Sequence, residues 1–256
     1  MKIGLIGTGI IGEACIKGFY RVGKFNGEMF ISRRSEDKSA ALADEFLQIT
    51  VLDDNQAIVD SCDLLILAVL PEQTEAVLKS LTLRPDQRML SLVSSITLGS
   101  LAEWAAPVTK ISRAIPLPPI EFGLGPIPIC PATPELDFLL DPVGVVVALT
   151  DEEQFLSIAV GSALMAMYYE MTSNIAVYMK NGGLAAEEAA RYASSMMVAL
   201  ADSTERVNYD ELLQMSEDCL TPGGLNEQVL FGLREAGWYD SLEKEMEGIK
   251  TRLSKY

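Results

Sequence analysis

Three glycines near the start of the chain have the spacing of a phosphate-binding turn. Residues 2–12 read KIGLIGTGIIG, in which a short apolar run precedes Gly7, Gly9 and Gly12. The first glycine would permit a tight turn out of a strand, and the second would let the backbone approach a pyrophosphate closely. The third would let a helix pack tightly on a sheet, and the N–H groups at the start of that helix would favour an anion. The pattern predicts a dinucleotide site formed by Gly7, Thr8, Gly9, Ile10, Ile11 and Gly12.

The residues after the second predicted strand indicate which dinucleotide is bound. An NAD site usually has Asp or Glu at the tip of this strand, where it holds the ribose 2′-hydroxyl. Here the tip reads Ser32-Arg33-Arg34 and has no acid. Ser32 can donate a hydrogen bond, and the planar guanidinium groups of Arg33 and Arg34 can pair with a 2′-phosphate. In a chain of formal net charge −16, this arginine pair favours NADP over NAD.

The composition excludes several kinds of chemistry. The 256 residues include no histidine, so a Ser-His-Asp triad is impossible and the commonest metal ligand is lacking. The four cysteines, at positions 15, 62, 130 and 219, have no C-x-x-C spacing, which predicts buried free thiols and no metal site. The net charge of −16 would repel nucleic acid and anionic membrane surfaces. The sequence therefore predicts a small-molecule substrate and no nucleic-acid or membrane partner.

The position of the first strand bears on localisation. It begins at residue 2, which leaves no room for a signal peptide before it. No apolar run approaches the roughly 20 residues that a membrane-spanning helix needs. Together with scattered cysteines, which are typical of a reducing compartment, this predicts a cytoplasmic protein.

Strand and helix patterns alternate through the first part of the chain, residues 1–150. Apolar runs predict strands near residues 3–6, 29–32, 49–51, 63–69, 89–93, 109–115, 127–129 and 143–149. Helix patterns begin near Ile10, at Ser35 as an N-cap, and at Pro71. Apart from the strand near 127–129, the proline-rich residues 116–143 are predicted to be irregular. The alternation predicts the α/β class, with an N-terminal Rossmann-type, doubly wound and mostly parallel sheet.

The remaining part, residues 151–256, is helical and rich in apolar side chains. Helices are predicted over 151–180, 185–206, 209–215, 226–235 and 239–253, with breaks at 181–183 and 221–224. About 105 residues cannot cover this much apolar surface among themselves. The sequence therefore predicts an all-α C-terminal domain that forms a homodimer through its helices and also contributes to the substrate site.

Several motifs resemble those of the pyrroline-5-carboxylate reductase family. The segment 63–73, DLLILAVLPEQ, is similar to the family's strand ending in A-V-K-P-Q, and 91–96, SLVSSI, is similar to S-I-A-A-G-I. Residues 221–224, TPGG, resemble the substrate loop S-P-G-G-T-T, and 236–238, AGW, resemble the turn before the last helix. The resemblance implies NADPH-dependent hydride transfer to a cyclic imine, either pyrroline-5-carboxylate or a related imine or ketone.

The resemblance also implies roles for individual residues. Contacts with the cofactor are implied for Ala68, Val69, Pro71 and Ser94. Contacts with the substrate are implied for Thr221, Gly223, Gly224 and Leu225, and the polar groups best placed for catalysis are Thr221 and Asn226. The backbone N–H groups of Gly223 and Gly224, at the start of a helix, could bind a carboxylate.

The chain departs from the family's motifs where chemistry is expected. The family's M-P-N-T-P is here Ile115 to Pro119, with Leu117 in place of asparagine, and S-G-S-G-P-A-Y aligns with residues 161–167. The first threonine after Gly-Gly is Leu225, which cannot hold a substrate carboxylate. These changes predict a more apolar pocket, formed by Leu117, Leu164, Met165 and Leu225.

Two other functions are weighed against the reductase. The altered positions also suit a non-catalytic, NADP-binding regulatory relative that kept the fold and lost turnover. A 3-hydroxyacid or phosphogluconate-type dehydrogenase is disfavoured, since no Lys-x-x-x-Asn pair stands at the start of the helical part.

Overall fold

The chain forms two compact units. The computed structural model describes residues 1–33 and 36–254, and the units are Met1–Phe155 and Leu156–Tyr256. The domain boundary between residues 150 and 151 remains a prediction from the sequence.

The first unit is built on one eight-stranded sheet. Its strands are β1 (Ile3–Ile6), β2 (Met29–Ser32), β3 (Ile49–Leu52), β4 (Leu64–Leu67), β5 (Arg88–Ser91), β6 (Lys110–Ala114), β7 (Pro126–Cys130) and β8 (Val145–Ala148). They lie in the order β3-β2-β1-β4-β5-β6-β7-β8. All neighbours pair in parallel except β6 and β7, which are antiparallel. The predicted fold class is confirmed, and the chain crosses from one side of β1 to the other between β3 and β4, the point where such sheets bind ligands.

The central strands are apolar on both faces because helices cover both sides of the sheet. Every residue of β4 is buried, and Leu64 and Ile66 join a different apolar cluster from Leu65 and Leu67. This explains the unbroken apolar run in the sequence, which is typical of a parallel strand covered on two faces.

Helices surround the sheet of the first unit. They are α1 (Ile10–Lys17), which continues as a π-helical turn at Gly18–Val22, then α2 (Glu36–Glu45), α3 (Asn55–Ser61), α4 (Pro71–Lys79), α5 (Leu98–Trp104) and α6 (Pro134–Leu140). The predicted N-cap of α2, Ser35, lies outside the described residues, as does Arg34.

One expectation about the proline-rich segment is wrong. Residues 116–143 contain a 3-10 helix, Pro118–Phe122, and α6, where the sequence predicts irregular structure. Pro134 lies in the first turn of α6, where its missing N–H costs no helical hydrogen bond. Leu136, Leu139 and Leu140 follow at helical spacing and are buried, so burial of one face stabilises this short helix.

The helical region contains α7 (Gln154–Ser162), α8 (Met165–Asn181), α9 (Ala186–Glu205), α10 (Tyr209–Asp218), α11 (Leu225–Glu235) and α12 (Trp238–Leu253). The single helix predicted over 151–180 is wrong: the chain turns at Ala163 and Leu164, where the Leu164 N–H donates to the Gly161 carbonyl at 3.3 Å. Apolar residues flank this turn on both sides, so the composition gave no signal for it.

The second unit has little interior of its own. Helices α8, α10, α11 and α12 contain no fully buried residue among those described, and α9 buries only Ala189, Ala193 and Met197. Large apolar side chains such as Val198, Leu213 and Val229 are more than half exposed. An exposed apolar surface of this extent is typical of a helical unit that packs against another protein surface.

The thiols of the first unit are buried. Burial raises the pKa of the Cys15 thiol to about 12 and that of the Cys62 thiol to about 11. Cys130 is also buried, whereas Cys219 is exposed, contrary to the expectation of four buried thiols. A thiol held protonated in an apolar interior is a poor nucleophile and metal ligand. Within the described ranges, no cluster of His, Cys, Asp or Glu could hold a metal ion, and no helix is long and apolar enough to cross a membrane.

Candidate functional site

A cleft of about 500 Å³ opens at the carboxyl ends of β1, β4 and β5. Its walls are the segments that follow these three strands, together with the first residues of α1 and α4. The lining residues are Gly7, Thr8, Gly9, Ile10, Ile11, Ala68, Val69, Leu70, Pro71, Gln73, Leu92, Val93 and Ser94. Most of the residues predicted to contact a cofactor are thus brought together in one place. Leu70, Gln73, Leu92 and Val93 are not among the predicted contact residues, although each lies in a segment that resembles a family motif.

Gly7 and Gly12 are required by the fold itself. Gly7 has a φ of +106°, which only glycine adopts readily, and a Cβ there would overlap the Ala68 carbonyl. A Cβ on Gly12 would overlap the Gly7 carbonyl. These two glycines let α1 start immediately after β1 and lie close against it.

Gly9 differs from the other two glycines of the motif. Its φ is −73° and its ψ is −169°, a conformation open to any residue. A Cβ at this position would meet no atom within 4 Å and would stand in the open cleft. The protein itself therefore does not need glycine here, whereas a ligand that touches the backbone of the loop would.

The start of α1 provides unpaired hydrogen-bond donors at the cleft. The first helical bond runs from the Glu13 N–H to the Gly9 carbonyl, at 2.9 Å. The N–H groups of Ile10, Ile11 and Gly12 therefore have no partner within the helix. The Thr8 hydroxyl is buried and has no hydrogen-bond partner among the described residues. Donors without partners beside a cleft are what an anionic ligand requires.

The acidic residue in the first turn of α1 is neutralised by its neighbours. The Glu13 carboxylate receives hydrogen bonds from the Lys17 ammonium at 2.7 Å and from the Lys38 ammonium at 2.6 Å. These two cations lower the pKa of Glu13 and cancel its charge at neutral pH. The positive end of the α1 dipole is consequently not offset by a free carboxylate.

Ser32 and Arg33 stand at the end of β2. The buried Ser32 hydroxyl accepts a hydrogen bond from the Gly7 N–H at 3.0 Å, so in this structure it holds the glycine loop. The Arg33 side chain is half exposed and pairs with the Asp53 carboxylate at the end of β3. The Glu36 carboxylate lies 3.9 Å from the same guanidinium. Asp53 was not foreseen, because it belongs to the next strand along the chain.

A nearly buried arginine supports the far side of the cleft. Arg113, on β6, is 5% exposed and donates to the Ser94 carbonyl at 2.7 Å. It also pairs with the Glu152 carboxylate at 2.7 Å, and its guanidinium lies 4.7 Å from the centre of the Phe155 ring. The same Glu152 oxygen accepts from the Leu98 N–H at 2.8 Å. The position of Arg113 in a predicted buried strand indicates that its charge needs a partner. The sequence does not indicate which partner, because Ser94 and Glu152 are distant from it along the chain.

The Thr221–Gly224 loop lies in the second unit, just before α11. The Gly224 N–H donates to the Thr221 carbonyl at 2.7 Å, and the Gly223 N–H donates to the Glu227 carboxylate at 2.7 Å. Both backbone donors expected to bind a carboxylate are thus engaged within the loop. Glu227 was not singled out from the sequence, although a Glu three residues after a helix N-cap is a known capping signal.

The other predicted substrate residues are exposed on the same unit. The Asn226 amide donates to the Cys219 carbonyl at 3.2 Å, and Leu225 is 83% exposed. Leu164 and Met165 also belong to the second unit, whereas Leu117 belongs to the first. The apolar pocket formed by these leucines and the methionine therefore stays a prediction.

Known proteins resemble this chain over its whole length. A family model described as "NADP oxidoreductase coenzyme F420-dependent" matches residues 2–97. The pyrroline-5-carboxylate reductase of Pseudomonas aeruginosa is 23% identical over 262 residues, covering 98% of this chain and 95% of that protein.

Two solved structures have the same architecture. The 1-pyrroline-5-carboxylate reductase of Streptococcus pyogenes superposes with a TM-score of 0.83 at 22% identity, covering 100% of this chain and 99% of the other. The pyrroline carboxylate reductase of Plasmodium falciparum, solved with NADP bound, gives a TM-score of 0.82 at 17% identity, covering 99% and 97%. At these identities the superpositions establish the fold.

Proposed function

We propose that the chain is a divergent member of the pyrroline-5-carboxylate reductase family, to which its relatives of 22–23% identity over 98% of the chain belong, and that it is an NADPH-dependent reductase of a cyclic imine. The observation that carries the proposal is Gly9, which the fold does not need and which stands in a cleft beside N–H groups that have no partner within α1. Such a cleft at the crossover point of a parallel sheet suits the pyrophosphate of a dinucleotide.

The residues present fit NADPH in three places. The first turn of α1 and the Thr8 hydroxyl would hold the pyrophosphate, since the first N–H groups of α1 have no partner within the helix and the hydroxyl has none among the described residues. Arg33 would hold the 2′-phosphate, together with Arg34, which the structure does not describe. Ala68, Val69, Pro71 and Ser94 line the remaining wall and would contact the other end of the cofactor.

The proposed reaction needs little acid–base catalysis from the chain. When bound, NADPH supplies a hydride. An imine that is already protonated accepts this hydride at carbon and keeps its proton on nitrogen, which gives the amine. The chain therefore needs no strong acid, in agreement with its lack of histidine. Thr221 and Asn226 are proposed to orient the substrate through polar contacts, with Gly223, Gly224 and Leu225 forming the rest of the substrate loop.

Arg33 is proposed to discriminate between the two nicotinamide cofactors. Arg33→Ala is expected to weaken NADPH binding about tenfold, the loss of one charge-assisted contact at a half-exposed position. NADH has no 2′-phosphate, so its affinity should change little. Fluorescence titration with each cofactor measures both values.

A matched control is Arg21→Ala, since Arg21 is similarly exposed and pairs with Glu45 away from the cleft. It should leave both affinities unchanged. An equal loss of NADH and NADPH affinity in Arg33→Ala would contradict the proposed role in 2′-phosphate recognition.

The second unit is proposed to form a homodimer through its helices. The support is the scarcity of buried side chains in α8 to α12 and the exposure of residues such as Val198, Leu213 and Val229. Sedimentation equilibrium should give a mass of twice 27.9 kDa. Val198→Lys should shift the protein towards the monomer, since it places a charge on this apolar surface, while Lys244→Glu, a polar change on α12, should not.

The proposed reaction is tested by turnover. Purified protein is mixed with NADPH and a panel of cyclic imines, absorbance of the reduced nicotinamide is followed, and the amine product is identified by mass spectrometry. Tight NADPH binding without turnover of any imine would favour the alternative, a non-catalytic NADP-binding relative. The changed residues Leu117, Met165 and Leu225 are what motivates that alternative.

A further inference from the structure

We propose that the substrate of this site is a protonated cyclic imine that carries no carboxylate group, and the inference rests on the proposed function. It follows from the contact between the Glu227 carboxylate and the Gly223 N–H in the substrate loop. The chain's own carboxylate, Glu227, occupies one of the backbone donors of the loop to which a substrate carboxylate would bind, and no basic residue of the loop balances its charge.

The N–H groups of both glycines in the loop already have hydrogen-bond partners. The Gly223 N–H bonds to Glu227 at 2.7 Å, and the Gly224 N–H bonds to the Thr221 carbonyl at 2.7 Å. A substrate carboxylate would have to displace Glu227 from Gly223, or bind beside it at the N–H groups of Leu225 and Asn226, which have no partner within α11. In either place it would lie close to the Glu227 carboxylate, and two like charges at short range repel each other.

The side chains around these donors are poorly suited to hold a carboxylate. Leu225, where the family's loop has threonine, is 83% exposed, and its side chain can donate no hydrogen bond. From residue 219 to residue 233 the sequence contains no Lys or Arg. The next basic residue, Arg234, already pairs with the Glu217 carboxylate at 2.8 Å. The loop therefore has no cation to hold an acidic substrate.

The same features favour a cation with an apolar body. A protonated imine carries a positive charge, which Glu227 and the chain's net charge of −16 attract. The exposed Leu225 offers an apolar contact to the methylene groups of a ring. A cyclic imine without a carboxylate has both properties.

The experiment compares one five-membered cyclic imine with and without a ring carboxylate, using NADPH and the full chain. Wild-type protein should have the higher kcat/KM for the imine without the carboxylate. Glu227→Ala removes the charge and frees the Gly223 N–H, so it should raise kcat/KM for the carboxylated imine about tenfold, the gain of one charge-assisted hydrogen bond. Glu227→Gln removes the charge but can still accept the bond, so its gain should be smaller. Glu235→Gln, at the other end of α11, serves as the matched control and should change neither value.

A second measurement does not depend on turnover. Calorimetry in the presence of NADP⁺ compares the binding of the two saturated amines, with and without the carboxylate. Stronger binding of the carboxylated amine to the wild type, or an unchanged preference in Glu227→Ala, would overturn the inference while leaving the reductase proposal intact. Absence of turnover with every imine, with NADPH bound, would instead overturn the reductase proposal. The calorimetric preference would then still decide which ligand class the loop accepts.

Discussion

Replacement of Gly9 by alanine is expected to weaken NADPH binding about 100-fold or more, with an unfolding temperature no lower than that of the wild type. The added methyl group would stand in the open cleft, where it meets no protein atom within 4 Å, and the backbone conformation of Gly9 suits alanine. It would keep the pyrophosphate from the N–H groups of α1. The loss of two charge-assisted hydrogen bonds, about 3 kcal/mol together, gives the expected factor. Fluorescence titration and thermal unfolding measure the two quantities.

The neighbouring glycines supply the contrast. Gly→Ala within a helix usually stabilises a protein by about 0.5–1 kcal/mol, but Gly12→Ala should destabilise this one by about 2 kcal/mol, because its Cβ would overlap the Gly7 carbonyl. Gly248→Ala, on α12 with open space around it, should show the usual stabilisation. Unchanged NADPH affinity in Gly9→Ala would mean that the pyrophosphate does not lie on this loop.

Replacement of Arg113 by methionine is expected to lower the free energy of unfolding by about 3 kcal/mol. The methionine would fill part of the volume, but the Glu152 carboxylate and the Ser94 carbonyl would both lose a donor. Removal of one partner from a buried ion pair costs about 3–5 kcal/mol. Because Glu152 is 27% exposed, water would compensate part of this, so the lower end is expected. Urea unfolding followed by circular dichroism measures the change.

The matched control is Arg206→Met, since Arg206 forms an exposed pair with Asp202 on α9. That change should cost less than about 1 kcal/mol. Equal effects of the two substitutions would show that the Arg113 pair adds nothing beyond a surface contact. Arg113→Met should also weaken NADPH binding, because Arg113 holds Ser94, which lines the cleft. Arg206→Met should leave NADPH binding unchanged.

The sequence predicted those parts of the fold that local patterns determine. The strands followed from short apolar runs, since a strand buried on both faces, such as β4, leaves a continuous signal. The glycine loop followed from its spacing. Gly7 and Gly12 are required by close backbone approaches, which only glycine permits.

Features that depend on distant partners were not predicted. Arg113 and Glu152 are 39 residues apart in the chain, and only the sheet and the turn before α7 bring them together. The turn at Ala163 and Leu164 separates two helices of similar composition, so periodicity did not reveal it. Glu227 reads as an ordinary exposed residue in the first turn of a helix, and only its contact with Gly223 gives it a role in the substrate loop.

The pairing of Arg33 with Asp53 bears on how readily the cofactor is exchanged. The Arg33 guanidinium has a carboxylate partner in this structure, so a 2′-phosphate would exchange one anion for another and gain less than it would from a bare cation. Asp53 would pair with the arginine again when the nucleotide leaves, so release would not leave an unpaired charge. Under the proposed function, this arrangement favours fast exchange of the oxidised nucleotide for NADPH over tight binding. Fast exchange suits an enzyme that must release its oxidised cofactor in every cycle.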